Sequence, residues 1–353
     1  MLIINPGSTS TKTAIYENDQ LIVEKTLHHD TKELSKYAHV VDQFEDRKRL
    51  ILAFLETQQY HLKDIDVFVG RGGMLKPLHT SGTFEINALM VRELREATYG
   101  EHASNLGAII AYDLAEKYHK PAYIVDPVCV DEMMDLAKVS GLKGIERRST
   151  FHALNQKAIA RKHAASIGKK YEDINVIVCH LGGGISVGLH QKGKVVDVNN
   201  ALGGDGPFSP ERTGTIPTYP LIDLCFSKAY QKKDIQKMLV GQGGLVSYLG
   251  TANALDIEKR IQSGDEKAAF YFKAMAYRVV KEIGSLYFAI AGEIDDILIT
   301  GGLAYNQTFI NYLISYLDPI KKIKVYPGED EMHALALGTL RVLNQEEHAN
   351  IYT

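Results

Sequence analysis

Three stretches of this chain end an apolar run in glycine, and each has the composition of an anion cradle. The first is NPGSTSTK, residues 5–12, directly after Leu2, Ile3 and Ile4. Gly7 admits close backbone approach, Ser8, Ser10 and the loop amides supply donors, and Lys12 can offset phosphate charge. Taken alone, such a turn reads more simply as a hairpin, because Pro-Gly and Ser/Thr are ordinary turn residues. The second is Gly182, Gly183 and Gly184 in VIVCHLGGGISVG. Three glycines remove every Cβ that would hold a ligand away, at an entropic cost that a plain turn does not need. The third is Gly301 and Gly302, closing the apolar run of DDILITGG. Together they point to a polyanion site shared by both halves of the chain. It is of neither the Walker A nor the GxGxxG kind.

Charged residues stand at comparable places. Arg71 lies between glycines in DVFVGRGGM, and Arg212 lies in the loop GPFSPERTGTIP. A planar guanidinium suits carboxylate or phosphate, although a surface arginine in a turn is an equal reading of either residue alone. Asp126 closes YIVDPV, where a turn-initiating Asp before Pro is the plainer explanation. Of the 13 histidines, most are expected to be solvated or capping. His180 ends an apolar run just before the triple glycine, and His152 opens a helical pattern whose start favours an anion. His102, in YGEHASNLG, has a similar place. None has zinc spacing, so metal ligation by histidine is not expected. Glu329, Asp330 and Glu331 precede a helical pattern; a solvated acidic helix start is the default, and a carboxylate holding Mg2+ beside phosphates is the sharper reading.

The elements that must position these residues fall into a repeat. LIINPGSTSTKTAIYENDQLIVEKTL and INVIVCHLGGGISVGLHQKGKVVDVN each read as strand, glycine turn, strand, polar hairpin turn and strand. Helical patterns follow both: Ala88–Ala97 and Ala103–Tyr118, then the strand AYIVDPV, in the first half; about Asp265 to Gly292, then DDILITGG, in the second. This alternation predicts α/β units with mixed sheets, and the repeat predicts two similar domains with a cleft between them. The expected division is residues 1–147, with the segment from about 331–353 returning to that domain, and 148–330. The seam would fall near Gly141–Thr150.

Bulk composition agrees with a soluble globular protein and narrows its partners. A chain of 353 residues is long for one core. A formal net charge of −3 leaves no basic footprint for nucleic acid or anionic membrane. Three cysteines without a CxxC pair fit a reducing compartment, and no signal peptide or membrane span is evident, so a cytoplasmic protein is expected.

As a set, in this order, the motifs resemble the acetokinase family of carboxylate kinases, most closely its butyrate kinase branch. NPGSTSTK is similar to the NAGSSSxK opening of acetate kinases, with Pro for Ala and Thr as in the butyrate branch. GRGG takes the place of the arginine segment HxVxHGG, and STFHALNQKAIA resembles GFHGTSH. HLGGG resembles HLGNG, ERTGTIP the TRxGDxDP loop, TGGLAYN the adenosine-side GGIGEN, and PGEDE the PTNEE carboxylate loop. The likeness runs from Asn5 to Glu331, nearly the whole chain.

The resemblance implies a sugar kinase, Hsp70 and actin superfamily fold: two actin-like (ribonuclease H-like) α/β domains with ATP or ADP and Mg2+ in the interdomain cleft. It implies that Asn5, Ser8, Ser10 and Lys12 form a phosphate loop, with Gly182–Gly184 and Gly301–Gly302 as further nucleotide contacts. Arg71 and Arg212 would flank the acyl carboxylate and the phosphoryl group in transfer. His152 and His180 would donate to phosphoryl oxygens, and Asp126 would orient the site or assist the metal. Glu331, or the neighbouring Asp330, would be the magnesium carboxylate. Gly73 and Phe151 fall in the acyl pocket. Acetate kinases carry a valine at or beside the position of Gly73, so its missing side chain suggests room for a longer acid. A homo-oligomer, dimer or higher, is also implied.

The expected reaction is ATP + butanoate = ADP + butanoyl phosphate, with acetate, propionate and isobutyrate as alternative acids. A carboxylate is already a nucleophile at neutral pH, which suits a site rich in arginine and without an obvious base. A nucleotide-switch ATPase of the Hsp70 or actin type is the distant alternative. It would have no need of two arginines poised on an acceptor acid.

Overall fold

The computed structural model describes residues 1–320 and 322–353, which divide into two compact units. The first comprises Met1–Val130 and Asp330–Thr353, the second Asp131–Glu329. Residues 141–150 lie in the second unit, where 139–142 and 145–146 form a small exposed hairpin.

In the first unit, β1 (Leu2–Pro6), β2 (Ser10–Glu17) and β3 (Gln20–His28) form an antiparallel meander. Its second turn uses Asn18 at φ 53, a left-handed conformation that Asn tolerates. β4 (Phe68–Gly70) joins β1 in parallel, and β5 (Thr83–Glu85) and β6 (Ala122–Val125) extend the sheet. The order is C-terminal strand Asn350–Ile351, β5, β6, β4, β1, β2, β3. Leu2, Ile3, Ile4, Phe68 and Val69 are fully buried, so β1 and β4 read as continuous apolar runs rather than alternating ones.

Helix Asn105–Glu116 lies directly on β4 because both elements are glycine at the contact. A Cβ on Gly70 would sit 2.6 Å from Ala108 N, and one on Gly107 would sit 2.6 Å from Arg71 O. Nothing bulkier fits, and the close approach brings the start of this helix against the loop that carries Arg71 and Gly73.

The second unit repeats the layout. β7 (Asn175–Leu181), β8 (Ile185–Gln191) and β9 (Lys194–Val198) form the meander, and β10 (Asp296–Gly301) and β11 (Ile323–Pro327) add in parallel to β7. The order β9, β8, β7, β10, β11 matches β3, β2, β1, β4, β6. Two similar sheet-containing α/β domains are therefore the observed architecture.

Helix Glu266–Ala289 covers this second sheet through Phe272, Met275, Ala276, Val279, Ile283 and Leu286, a three-and-four spacing that forms one buried stripe. Each such fully buried large side chain contributes roughly 1.5–3 kcal/mol of transfer free energy. The stretch AAFYFKAMAYRVV thus supplies core on one side, while Phe270 and Tyr277 face outward. Among the described residues, no helix is long and apolar enough to cross a membrane.

Candidate active site

In the first unit, β1, β4 and β6 run parallel and end side by side, with Ile4 beside Gly70 and Gly70 beside Ile124. The residues that follow are Asn5, Arg71 and Asp126, at the carboxyl edge where α/β sheets hold ligands. Arg71 N–H donates to Ile4 O at 2.8 Å, which locks the loop to β1. Its guanidinium forms an ion pair with Glu331, and Glu331 Oε2 accepts from Asn5 Nδ2 at 2.7 Å. One carboxylate therefore holds both side chains in register. Among the described residues, Arg71 Nε is buried without a protein acceptor. Asp126 occupies φ 39, and its Oδ1 accepts from Gly82 N–H at 2.7 Å while its own N–H donates to Gly82 O.

The two neighbouring acids separate by role. Asp330 is the N-cap of helix Glu331–Leu343, accepting from His333 N–H at 3.0 Å, and Glu331 turns inward to Arg71. His102 acts locally as well: its Nδ1 lies 2.7 Å from Ser104 Oγ at the turn into helix Asn105–Glu116.

The loop after β1 is braced from beneath by Arg47, a residue for which the sequence gives little warning. Arg47 is 1% exposed, on helix Phe44–Thr57. It donates to Gly7 O (2.9 Å), Ser8 O (3.2 Å), Ser10 O (3.1 Å) and Thr11 Oγ1 (3.0 Å). With those carbonyls drawn inward and Gly7 N–H bonded to Ser10 O, Ser8 and Thr9 form the exposed tip. Burial lowers the Arg47 pKa from 12.5 to about 10, so the group stays cationic at neutral pH. Lys12, on β2, lies 3.4 Å from Glu24.

Gly73 has a packing explanation. A Cβ there would collide with Asn105 Oδ1 and lie 2.6 Å from Asn105 Cα. Asn105 Oδ1 itself accepts from Met74 N–H at 2.8 Å, and its Nδ2 donates to Gly100 O at 3.0 Å. The missing side chain at Gly73 is therefore taken up by Asn105. Packing against Asn105 is thus a second reason for a glycine here, beside the expected place in the acyl pocket.

In the second unit, β7, β10 and β11 end together, with Thr300 beside His180 and Gly301 beside Pro327. Gly301 takes φ 93 and pairs with Gly328 through two main-chain hydrogen bonds of 3.0 Å. That pairing delivers Glu329, whose Oε2 lies 3.3 Å from His180 Nε2 and accepts from Asn155 Nδ2 at 3.3 Å. His180 stacks on His152, with ring centroids 4.0 Å apart and planes 21° apart. His152 occupies the N-cap position of helix Ala153–Ser166 without a side-chain capping bond, just after the buried Phe151.

The triple glycine encloses a second arginine. Gly182 N–H donates to Gly184 O at 3.0 Å, and Ser209 Oγ donates to Gly183 O at 2.6 Å. The Arg212 guanidinium occupies the direction a Gly184 side chain would take; a Cβ would lie 2.6 Å from Arg212 Cζ. Arg212 Nη1 donates to Ala201 O at 2.9 Å, and its Nε is buried without a protein acceptor among the described residues. Burial lowers its pKa, and Glu211 opposes that shift. Around Gly302 the Cβ direction is open.

Two α/β units on one strand order, each with an arginine and a carboxylate near the carboxyl edge of its parallel strands, make the two-domain actin-like fold. Residues 129–336, more than half of the chain, match the model of the acetokinase family, and the chain belongs to that family. Membership carries the carboxylate-kinase class of phosphotransferase with it. Among solved structures, an acetate kinase from Porphyromonas gingivalis is 19% identical with a TM-score of 0.75, over 97% of this chain and 99% of that one. A propionate kinase from Francisella tularensis is 19% identical, TM-score 0.74, over 96% and 98%. An acetate kinase from Entamoeba histolytica is 17% identical, TM-score 0.73, over 96% and 98%.

Proposed function

We propose that this chain is a butyrate kinase, transferring the γ-phosphoryl group of ATP to butanoate to give ADP and butanoyl phosphate, reversibly and in a single in-line step. The single observation that carries the reading is the pair of seated arginines. Arg71 is fixed by Glu331, Arg212 by Ala201 O and the Gly184 surface, and each keeps a buried Nε–H with no protein acceptor among the described residues. Buried donors without partners are costly, so they mark where an anion belongs. The preference for a four-carbon acid rests on the loop sequence NPGSTSTK, whose Pro-for-Ala form with Thr is similar to the butyrate branch.

The chemical task is to bring two anions together. A carboxylate oxygen attacks the γ-phosphorus while the bond to the β–γ bridging oxygen breaks and its electrons leave with ADP. No general base is needed, since the acid is ionised at neutral pH. What the residues supply is alignment and charge. Arg71 orients the acyl carboxylate, Arg212 and the histidines His152 and His180 take the phosphoryl oxygens, and the loop Asn5–Lys12 with the glycines 182–184 and 301–302 holds the remaining phosphates. Asp126 holds the Gly82 amide and so the edge of the sheet beside Arg71.

Mg2+ prefers one or two carboxylates, with water and phosphate completing its shell. Glu331 fits by its chemistry: it is a carboxylate held by Arg71 and Asn5 at the carboxyl edge of the first sheet. Among the described residues no group of three or more His, Cys, Asp or Glu could hold a metal unaided, so the ion would arrive with the nucleotide phosphates. When bound it supplies charge neutralisation at the β- and γ-phosphate oxygens.

The matching experiment traps acyl phosphate as hydroxamate from MgATP and a series of acids from formate to valerate. A maximum at butanoate, abolished in Arg71→Ala and Arg212→Ala, supports the reading. A maximum at acetate or propionate, the acids in the names of the structural relatives, keeps the reaction and replaces the substrate. ATP hydrolysis without acyl phosphate from any acid overturns it.

A further inference from the structure

Ser186, on β8 opposite His180, is fully buried and belongs to a hydrogen-bond network that reaches His152. Its Oγ lies 2.8 Å from Gln156 Nε2, 2.7 Å from His152 Nδ1 and 3.5 Å from the His152 main-chain N–H. The orientation of Gln156 follows from the backbone. The carbonyl of Ser186 can only accept, and the Gln156 atom 3.1 Å from it must therefore be the amide nitrogen. Gln156 Oε1 then faces His190 Nε2 at 2.9 Å, and because Oε1 only accepts, that nitrogen donates. His190 is fully buried; burial, with Lys157 and Arg161 nearby, holds its pKa well below the ordinary histidine value. The neutral ring accepts at Nδ1 from Tyr171 Oη–H, at 2.7 Å.

This leaves the Ser186 hydroxyl receiving from Gln156 and from the His152 main chain, with its own proton still to place. Of the three atoms in reach, only His152 Nδ1 can accept it. We propose that Ser186 is a positioning residue that keeps His152 neutral, with its proton on Nε2, so that the ring presents an Nε2–H donor to a phosphoryl oxygen. The proposal rests on the reading of His152 as a phosphoryl contact of a carboxylate kinase.

The whole chain then points one way. Tyr171 donates to His190, His190 to Gln156, Gln156 to Ser186, Ser186 to His152, and His152 outward. Aligned donors polarise one another, which strengthens the terminal bond. Placing a second proton on His152 would force the Ser186 hydroxyl to turn away from its only acceptor inside a buried wall, an unsatisfied-donor cost. The stacked ring of His180 also faces His152, and Glu329 lies beside His180.

The test is imidazole 15N–1H correlation spectroscopy on the full chain with 15N-labelled histidine, the His152 signals being identified by their loss in His152→Gln. The expected spectrum at neutral pH shows His152 protonated at Nε2 and unprotonated at Nδ1. A proton on Nδ1, or an imidazolium, overturns the proposal. In Ser186→Ala the tautomers should mix, and kcat for acyl phosphate formation should fall about tenfold while KM for ATP and for the acid stays within about twofold. A Ser186→Ala spectrum identical to the wild type overturns the role of Ser186, whatever happens to kcat. The wild-type spectrum does not depend on any variant folding. An active wild-type kinase with Nδ1–H overturns this inference alone. An Nε2–H spectrum in a chain that makes no acyl phosphate overturns the carboxylate-kinase reading and leaves the tautomer assignment standing.

Discussion

Arg212 and Gly184 share one space: the guanidinium lies where a side chain at the glycine would be, with Cζ 2.6 Å from the ideal Cβ position. The glycine is needed by the arginine as well as by any ligand. Gly184→Ala should therefore behave like an arginine mutant. We expect acyl phosphate formation to fall by about 100-fold or more, the scale on which a lost charge-stabilising donor acts, while far-ultraviolet circular dichroism stays near wild type. Hydroxamate kinetics on Gly184→Ala and Arg212→Ala side by side check it. Full activity in Gly184→Ala would mean the guanidinium has no fixed place.

Gly73→Ala separates packing from substrate size. The new methyl would collide with Asn105, whose side chain holds Met74 N–H and Gly100 O. Overpacking of this kind costs about 1–3 kcal/mol, so denaturant titration should show a lower midpoint with an unchanged slope. Activity should fall by one common factor for acetate, propionate and butanoate. A selective loss on butanoate, with stability intact, would place Gly73 in the acyl pocket.

Glu282 gives the chain a pH dependence that has a definite sign. Burial, and then the neighbouring charge of Asp205, raise its pKa from 4.5 to about 7, with Arg147 opposing. In the window between those values the folded chain holds a proton that the unfolded chain has released. Stability from this group is therefore full below the unfolded pKa and is lost as pH rises through the folded one. Glu282→Gln removes the dependence. Its melting temperature relative to wild type should rise between about pH 5 and about pH 8, read by calorimetry at several pH values. A constant difference would show that Glu282 titrates normally.

What the sequence made legible is the part carried by strong local signals. β-branched runs closed by glycine marked β1, β7 and β10, and the polar turns at Asn18 and Lys192 marked the hairpins, so the repeated strand order could be anticipated. Helix starts were also visible, because His152 and Asp330 are followed by apolar spacing. Where a side chain turns is set by packing, and there the reading stopped. Asp330 and Glu331 are adjacent acids, and only the rotation of helix Glu331–Leu343 decides that one caps it and the other meets Arg71. Gly73 illustrates the same limit: a sequence shows that a side chain is missing but not whether a ligand or Asn105 fills its place. Ser186 and Gln156 look like ordinary residues of a strand and a helix until their donors are counted.

Arg47 is the hardest of these to see and carries the final prediction. In FEDRKRL three basic residues follow one another, and Lys48 and Arg49 pair with nearby acids at 3.1 and 2.7 Å. Arg47 instead shares the inward stripe of Phe44, Ile51, Phe54 and Leu55, and its guanidinium ends among the carbonyls of the loop after β1. Burial is the cause of its lowered pKa. A buried cation held by main-chain carbonyls, the Thr11 hydroxyl and the Gln43 amide oxygen retains a field that favours an anion at the loop it supports. Arg47→Met keeps the bulk and removes the charge and the donors. It should destabilise the chain by on the order of 3 kcal/mol, because several buried carbonyls lose their partner. It should also raise KM for ATP several-fold more than KM for the acid, if the loop Asn5–Lys12 holds phosphate. Arg47→Lys should recover part of the nucleotide affinity by restoring the charge, but little of the stability, since a single ammonium cannot reach all the carbonyls that the planar fork spans. Equal effects on the two KM values would assign Arg47 to stability alone and detach the first loop from the nucleotide.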